Sequence, residues 1–250
     1  MSEMTDDELM RYSRQIMLPE IDVAGQEKLL NGSALIFGVG GLGSPAAIYL
    51  ASAGVGQLVL IDHDRVDLSN LQRQIIHRHD AIGESKVASA ARSLLQLNPG
   101  ASIEVVDRKL EGEELINAVE HADVVLDATD NFAARYAVND ACWQTRTPLV
   151  SGAAIRWEGQ VAVFDPRQPD SPCYRCLYAE GDDAALSCSE NGVIGPLVGI
   201  IGSCQAMETI KLLTGVGDPL TGYVLYFDAK RMEWRKLGLK RNPTCPTCAG

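Results

Sequence analysis

The 250-residue chain lacks the features that would place it in a membrane or on a nucleic acid. Its longest apolar stretch, residues 193–202, is too short and too rich in glycine to span a bilayer. Residues 1–12 are acidic and have no apolar core, unlike a secretory signal. The net charge of −11 disfavours binding to phosphate backbones and to anionic lipid surfaces. We therefore expect a cytoplasmic protein with no nucleic-acid partner and no membrane partner.

The chain also has no internal repeat and no low-complexity tract, and its 46% apolar and 22% charged residues are typical of a globular protein. Its length allows one large α/β domain or two small ones. Histidine is scarce, and the histidines show neither zinc-ligand spacing nor pairing with a nucleophile. We interpret all of them as structural, and they are His63, His77, His79 and His121.

What the chain does contain is an apolar run that opens directly into a glycine cluster, over residues 34–43. A strand that ends at Gly38 and passes through Gly40 and Gly43 into a helix exposes backbone N–H groups where the helix dipole favours an anion. Asp62 ends the next apolar run, where a carboxylate can accept hydrogen bonds from a ribose. This pattern predicts an adenine-nucleotide site, and a tight turn that binds nothing is the alternative.

Hydrophobic periodicity predicts alternating strands and helices in the first part of the chain, which is typical of a parallel sheet. After residue 159 the predicted strands have a single helix between them, at about 195–214, so we interpret them as antiparallel additions to that sheet. A capping-box spacing from Thr5 to Glu8 predicts a helix from about residue 6. The other predicted helices are 44–53, 84–97 and 131–145, and the predicted strands are 34–39, 57–62, 103–107, 123–127, 148–151, 159–164, 223–229 and 233–239.

Two basic side chains stand where a bound phosphate would meet them. Lys86 lies in the first turn of the predicted helix 84–97, where the dipole disfavours a cation unless an anion binds beside it. Arg73 belongs to a polar run at 69–74, and its planar guanidinium can clamp phosphate oxygens while Asn70 bonds a phosphate or a ribose. The alternatives are an exposed lysine of no energetic consequence and a solvated loop.

Two carboxylates lie where the predicted strand 123–127 ends. Asp127 and Asp130 would lie at the edge of the sheet where open α/β proteins bind ligands. A carboxylate among phosphates at that edge is suited to hold Mg²⁺. Asp130 followed by Asn131 equally fits a helix N-cap, and both roles can hold at once.

Two CxxC pairs, Cys173 with Cys176 and Cys245 with Cys248, have the spacing with which four thiolates complete a tetrahedral zinc site. Four thiolates leave no open coordination position, so we expect a structural role in which the C-terminal tail is fixed to the preceding loop. A redox dithiol is the weaker alternative, since no thioredoxin-like strand precedes the pairs. Cys188 lies outside both pairs among acidic residues that disfavour its thiolate, so from the residues alone we interpret it as inert.

In combination, these segments resemble the E1-like adenylyltransferases of the MoeB/ThiF group, over essentially the whole chain. The glycine motif alone is not specific for this family, whereas the combination is. The residues that carry the resemblance are RYSRQI at 11–16, GVGGLG at 38–43, SNLQRQ at 69–74, Lys86, DATDN at 127–131, SGAAIRWEGQ at 151–160 and the two CxxC pairs. The segment at 151–160 is more similar to the MoeB (molybdopterin-synthase) branch than to the ThiF (thiamine) branch.

The resemblance implies a single domain over residues 1–250 with an α/β fold, in which a Rossmann-like parallel sheet is extended by antiparallel strands and carries a structural zinc site made of four cysteines. Residues 30–150 would be its nucleotide-binding half and residues 151–250 its antiparallel, zinc-bearing half. The implied activity is ATP-dependent adenylation of the C-terminal Gly–Gly carboxylate of a ubiquitin-like sulfur-carrier protein, with release of pyrophosphate. The expected carrier resembles MoaD, the small subunit of molybdopterin synthase. The alternatives are a ThiS-like carrier for thiamine synthesis and an NAD-dependent oxidoreductase, which the glycine motif also permits.

Roles for individual residues follow from the same resemblance. The implied catalytic residues are Arg14, Arg73, Lys86, Asp130 and Cys188. The implied nucleotide-binding residues are Gly38, Gly40, Gly41, Gly43, Asp62, Ser69, Asn70, Leu71, Gln72, Arg73, Lys86, Asp130 and Asn131. The implied metal ligands are Asp130 for magnesium and Cys173, Cys176, Cys245 and Cys248 for zinc.

Three of the implied features concern partner proteins. Arg14 would reach the nucleotide bound to the partner subunit of a homodimer. Cys188 matches a position that takes part in a covalent link to the carrier in some relatives. Because no rhodanese-like domain follows Cys248, sulfur would come from a separate donor.

Overall fold

The computed structural model describes residues 4–179 and 192–249. The strands in these ranges are β1 (Ser33–Phe37), β2 (Gln57–Ile61), β3 (Ser102–Val106), β4 (Val124–Asp127), β5 (Leu149–Ile155), β6 (Glu158–Phe164), β7 (Tyr223–Asp228) and β8 (Glu233–Gly238). The helices are α1 (Asp6–Ile16), α2 (Asp22–Asn31), α3 (Gly43–Ala53), α4 (Lys86–Leu97), α5 (Gly112–Glu120), α6 (Phe132–Thr145), α7 (Tyr174–Leu177) and α8 (Gly195–Thr214).

All of these strands form one sheet, in the spatial order β3-β2-β1-β4-β5-β6-β7-β8. Neighbours from β3 to β5 run parallel, β5 and β6 form an antiparallel hairpin, and β7 and β8 continue the antiparallel part. The predicted Rossmann-like sheet with antiparallel additions is therefore confirmed. Because the winding of the chain reverses between β1 and β4, the loops that leave these two strands diverge and open a crevice.

The side chains of β1 alternate between two apolar layers, one on each face of the sheet. Ala34 and Ile36 pack in the layer under α3, α4 and α8, whereas Leu35 and Phe37 pack in the layer under α5 and α6. Burial on both faces explains why this strand is apolar without interruption. Complete burial of a side chain such as Ile36 stabilises the fold by roughly 1.5–3 kcal/mol, so the strand that leads into the crevice is firmly held.

Helix α8 packs against β4, β5 and β6, and its fully buried Gln205 joins two of these strands. The side-chain Nε2 of Gln205 donates to the main-chain oxygen of Asp127 at 2.8 Å and to that of Val150 at 3.2 Å. A Cβ at Gly152 would lie 2.4 Å from the same amide group, so this close approach requires glycine there. The end of β4 is thereby fixed to β5 and to α8.

Each predicted strand and helix is present, with boundaries displaced by a few residues. The helices α2 and α5 and the short helix α7 are not among the predicted helices. Helix α2 has no side-chain cap and buries Gly25 and Gln26 beside Leu29, which obscures its apolar face. Helix α5 buries Leu115 and Val119 at a four-residue spacing, a signal that the sequence does carry. Of the helices in the described ranges, none combines the length and apolarity needed to cross a bilayer.

Candidate functional site

A cleft of about 540 Å³ opens where β1 and β4 diverge, at the carboxyl edge of the parallel strands. The loops after β1, β2 and β4 form its walls, together with the first turns of α4 and α6. Gly41, Asp62 and Asp130 line it from these three loops. Ligands of open α/β sheets bind at this position, so the cleft is the candidate site.

The turn after β1 brings bare backbone into the cleft. Gly38 has a φ of +87°, a conformation that side chains disfavour, and a Cβ at Gly43 would lie 1.9 Å from the Gly38 carbonyl oxygen. Both positions therefore require glycine. Gly40 and Gly41 line the cleft directly before α3, whose N-terminal dipole favours an anion.

The peptide groups of this turn are held from both sides at Val39. The Val39 N–H donates to Asp62 Oδ2 at 2.9 Å, and the Val39 carbonyl oxygen lies 3.1 Å from His77 Nε2. His77 Nδ1 lies 3.1 Å from Ser89 Oγ on α4. Burial lowers the pKa of His77, so the ring is neutral, with Nε2–H donating to the carbonyl and Nδ1 accepting from the serine. These contacts fix the glycine turn to β2 and α4.

A cationic wall faces the glycine turn. Lys86, at the start of α4, is buried, and its Nζ donates to Asp64 Oδ2 at 2.9 Å, while the Asp64 side chain remains 54% exposed. Although partial burial acts to raise it, the hydrogen bond and charge of Lys86 hold the pKa of Asp64 below its ordinary value. Arg73 also lines the cleft and donates from Nη1 to the Ser69 carbonyl oxygen at 3.1 Å. Since the carboxylate partner faces solvent, a phosphate can replace it beside Lys86.

The turn after β4 separates a buried carboxylate from an exposed one. Asp127 is fully buried and accepts hydrogen bonds from the Thr129 N–H, the Thr129 hydroxyl and the Ser151 hydroxyl. Asp130 is exposed and lines the cleft. The N-cap of α6 is Asn131, whose side-chain oxygen accepts from the Ala134 N–H at 2.8 Å. The capping alternative therefore belongs to Asn131, and the Asp130 carboxylate is available to a ligand.

Residues 12–247 match the model of the ThiF family. The chain belongs to the ThiF family. It is 49% identical over 248 residues to the molybdopterin-synthase adenylyltransferase of Escherichia coli (strain K12), with 99% of each chain covered. It is 47% identical over 247 residues to the sulfur carrier protein ThiS adenylyltransferase of the same strain, over 99% of this chain and 98% of that relative.

A solved structure shows the same fold at lower sequence identity. The crystal structure of E. coli MccB with ATP superimposes with a TM-score of 0.83 and 23% identity, over 96% of this chain and 75% of that chain. The two chains therefore share one fold.

In this ThiF family member, the structure brings eight of the thirteen predicted nucleotide-binding residues to one cleft. Those that line it are Gly38, Gly40, Gly41, Asp62, Arg73, Lys86, Asp130 and Asn131. Gly43 lies behind the turn against Gly38, and Ser69, Asn70, Leu71 and Gln72 form the turns that lead to Arg73. Arg14 is exposed on α1 and does not line the cleft of its own chain. Cys188 lies outside the described residues.

The cleft also has a second half that was not predicted residue by residue. It is lined by Ala153, Ala154, Gln160, Tyr178 and Tyr226, from β5, β6, β7 and the segment after α7. The Tyr178 hydroxyl donates to Gln160 Oε1 at 3.0 Å. Ala153, Ala154 and Gln160 belong to the segment at 151–160, one of those that carry the family resemblance, so the sequence holds a signal for part of this wall.

The fold brings the two CxxC pairs together, as the sequence predicts. The Cys173 and Cys245 sulfurs lie 3.5 Å apart and the Cys176 and Cys248 sulfurs 3.3 Å apart, and all four lie within 4.8 Å of one another. Tetrahedral thiolates bound at ~2.3 Å to one zinc ion lie about 3.8 Å from each other. The donor set and its spacing therefore fit one zinc ion.

Helix α6 connects this cysteine cluster to the cleft. Asp140 accepts two hydrogen bonds from the Arg175 guanidinium, at 3.1 and 2.9 Å, and one from the Thr247 hydroxyl at 2.7 Å. Arg175 lies within the first CxxC pair and Thr247 within the second. The Asn139 side chain accepts from the Tyr174 N–H at 2.7 Å. The helix that begins at the cleft thus holds both cysteine pairs.

Proposed function

We propose that the chain catalyses ATP-dependent adenylation of the C-terminal Gly–Gly carboxylate of a MoaD-like sulfur-carrier protein. One observation carries the proposal: a single cleft joins a glycine turn at a helix start, the cations Arg73 and Lys86, and the exposed carboxylate Asp130. Each of these groups acts on phosphate charge. The relatives named molybdopterin-synthase adenylyltransferase and ThiS adenylyltransferase, which match along their whole length, support the same reaction.

The chemistry of this reaction needs few protein groups. An oxygen of the carrier carboxylate forms a bond to the α-phosphorus, and the bond from that phosphorus to the oxygen bridging to the β-phosphate breaks. Pyrophosphate leaves with the electron pair, and the carrier becomes an acyl adenylate. The attacking carboxylate is already ionised, so no general base is required. Rate enhancement then comes from in-line positioning and from stabilisation of charge on the phosphates.

The described residues divide these tasks. Backbone amides of the glycine turn and the Arg73 guanidinium would bind phosphate oxygens, and Lys86 would exchange Asp64 for a phosphate. Asp62 would accept a ribose hydroxyl with the lone pairs that its two backbone donors leave free. Asp130 would hold Mg²⁺, because an exposed carboxylate oxygen beside phosphates is a ligand that this ion prefers. The magnesium ion, when bound, would neutralise phosphate charge.

The division of the chain into a nucleotide half (30–150) and an antiparallel, zinc-bearing half (151–250) belongs to the same proposal. The first half would bind ATP, and the wall formed by Gln160, Tyr178 and Tyr226 would receive the carrier tail. The four clustered cysteines would bind one structural zinc ion, since four thiolates leave no position for a substrate.

Partners complete the proposal. We propose a cytoplasmic homodimer in which Arg14, exposed and outside the cleft of its own chain, reaches the nucleotide of the partner subunit. Sulfur would come from a separate donor. A covalent link between Cys188 and the carrier remains part of the proposal as implied by the family resemblance.

A ThiS-like carrier is the second candidate, because the ThiS adenylyltransferase relative is nearly as similar to this chain as the molybdopterin-synthase relative. Exchange of radiolabelled pyrophosphate into ATP distinguishes the two. We expect exchange with a MoaD-like carrier, weaker exchange with a ThiS-like carrier, and none when the final glycine is deleted. Faster exchange with the ThiS-like carrier would reassign the pathway. Tight NAD⁺ binding without affinity for ATP would contradict adenylation altogether.

A further inference from the structure

Arg135 is a buried cation at the wall of the cleft. The proposed adenylation chemistry gives it no role. It lies in the first turns of α6, with its side chain 5% exposed, although the dipole disfavours a cation near a helix N-terminus. Burying a guanidinium is costly unless its hydrogen bonds are satisfied. The hydrogen-bond partners of Arg135 therefore indicate which part of the structure the buried guanidinium holds in place.

Those contacts favour a main-chain oxygen over a carboxylate. Arg135 Nη2 donates to the Thr129 carbonyl oxygen. Its Nη1 lies 3.8 Å from Asp127 Oδ2, which is longer than a hydrogen bond and lacks the paired fork geometry of a strong salt bridge. The guanidinium carbon of Arg135 lies over the Tyr174 ring, 5.9 Å from the ring centroid. The firmest bond of Arg135 thus goes to the backbone of the turn after β4.

The Thr129 carbonyl belongs to the peptide group that leads directly into Asp130. The Asp127 carboxylate holds the N–H and the hydroxyl of Thr129, at 3.0 and 2.6 Å, and Arg135 holds the carbonyl of the same residue. The Thr129 backbone is therefore fixed on both sides by buried groups. The orientation of the peptide group between Thr129 and Asp130 sets the direction in which the Asp130 side chain leaves the turn.

We propose that Arg135 is the positioning residue for Asp130: by holding the Thr129 carbonyl, it aims the Asp130 carboxylate at the magnesium–phosphate group of bound ATP. This inference rests on the proposed nucleotide site but not on the identity of the carrier. Loss of Arg135 should therefore raise the magnesium requirement of ATP binding in addition to any loss of stability. A purely structural arginine would change stability alone.

The test uses the full chain and titrates ATP by calorimetry at a series of magnesium concentrations. Arg135→Met removes the donors and leaves Asp127 charged and buried. Asp127→Asn/Arg135→Met removes both charges, which limits the loss of stability, and the amide keeps an acceptor oxygen for the N–H and hydroxyl of Thr129. Arg135→Lys keeps the charge and tests rescue by a conservative change. We expect Arg135→Met to raise the magnesium concentration for half-maximal binding by about tenfold, as fits the loss of one charge-assisted hydrogen bond.

The double variant and an Asp130→Asn background decide between positioning and structure. We expect Asp127→Asn/Arg135→Met to recover melting temperature but not the magnesium requirement, and Arg135→Lys to recover part of it. In the Asp130→Asn background, Arg135→Met should have no further effect on that requirement. An unchanged requirement in folded Arg135→Met, its recovery in the double variant, or an equal shift in the Asp130→Asn background would each overturn the proposal.

The readout separates this proposal from the proposed function. If the wild-type chain binds magnesium–ATP but exchanges no pyrophosphate with any carrier, adenylation is wrong while the calorimetric comparison still holds. If Arg135→Met does not fold, the double variant and Arg135→Lys provide the same comparison. A wild-type requirement in both of these variants would contradict positioning by Arg135.

Discussion

The Asp62 carboxylate accepts a hydrogen bond from the Val39 N–H at 2.9 Å, so the acid at the end of β2 is part of the glycine turn. The sequence predicts a ribose contact for this carboxylate, which stays a prediction, whereas the structure shows that it holds the glycine turn. The other oxygen of Asp62 accepts a hydrogen bond from the Asp64 N–H. This bond orders the backbone of Asp64, whose side chain pairs with Lys86. Asp62 thus connects the glycine turn to the segment that pairs with Lys86.

Asp62→Asn should weaken ATP binding by about tenfold, because the amide keeps one acceptor oxygen and loses a charge-assisted hydrogen bond. Titration calorimetry with ATP measures the change. Asp107→Asn is the matched control, since Asp107 pairs with Arg65 at the surface, outside the cleft. Equal affinities for the wild type and Asp62→Asn would show that this carboxylate does not organise the site.

Arg73→Ala and Lys86→Ala should each lower pyrophosphate exchange by roughly a hundredfold or more, through lost stabilisation of charge in the transition state. Neither change should unfold the protein, since the partner of Lys86 is half exposed. Arg92→Ala serves as the control, because Arg92 pairs with Glu84 at the surface and neither residue lines the cleft. If both cleft variants keep normal activity, the phosphate site lies elsewhere.

Arg14 should act across a dimer interface. Arg14→Ala and Lys86→Ala are each expected to be inactive, but an equal mixture should recover about a quarter of the wild-type rate, since half of the dimers are mixed and each mixed dimer has one intact site. The measurement is pyrophosphate exchange after subunit exchange. No recovery in dimers shown to be mixed would place Arg14 in its own subunit's site or outside the reaction.

Cys173→Ser should remove one zinc ion and destabilise the protein by at least about 3 kcal/mol, because metal-binding energy in a structural site is folding energy. Metal analysis and urea unfolding measure the two effects, and exchange activity should persist while the protein is folded. Cys204→Ser is the control, since this partly buried thiol lies outside the cluster. A native protein that is folded but free of zinc would refute the structural-metal proposal.

His77 should make the fold less stable as the pH falls. Burial holds the pKa of His77 below 6.5, so the unfolded chain takes up a proton first and unfolding is favoured from about pH 6.5 downward, until the folded form also protonates. The slope from this residue is at most about 1.4 kcal/mol per pH unit. Melting temperatures between pH 7 and pH 5 should fall less in His77→Gln than in the wild type. The exposed His79→Gln should keep the wild-type slope, and identical slopes for all three proteins would exclude this role.

The parts of the site that could be predicted from sequence are those with local signals. The turn at Gly38 and Gly43 lies within one strand–turn–helix segment, and Lys86 is marked by its place at a helix start. The spacing within each CxxC pair predicts that the two pairs meet, although 72 positions separate Cys173 from Cys245. Metal-ligand geometry restricts how such pairs can combine.

The rest depends on contacts between distant segments. His77 was interpreted as structural, but nothing in the sequence indicates that its ring meets Val39 and Ser89. Arg135 lies only six positions after Thr129, but the sequence does not show that its side chain reaches the Thr129 carbonyl. Helix α2 was missed for a related reason: its buried Gln26 is satisfied by the Ala53 carbonyl at 2.9 Å, a bond formed across the fold.

The two hydrogen bonds that Gln205 donates to β4 and β5 limit how far the chain can be shortened. A fragment that stops before α8 would leave the main-chain oxygens of Asp127 and Val150 without the amide that joins them, and would expose the apolar surface that the helix covers. Such a fragment contains every residue that we propose to face the phosphates, but we expect it to aggregate rather than to bind nucleotide. Any shortened version of this protein for biotechnology has to retain residues 195–214.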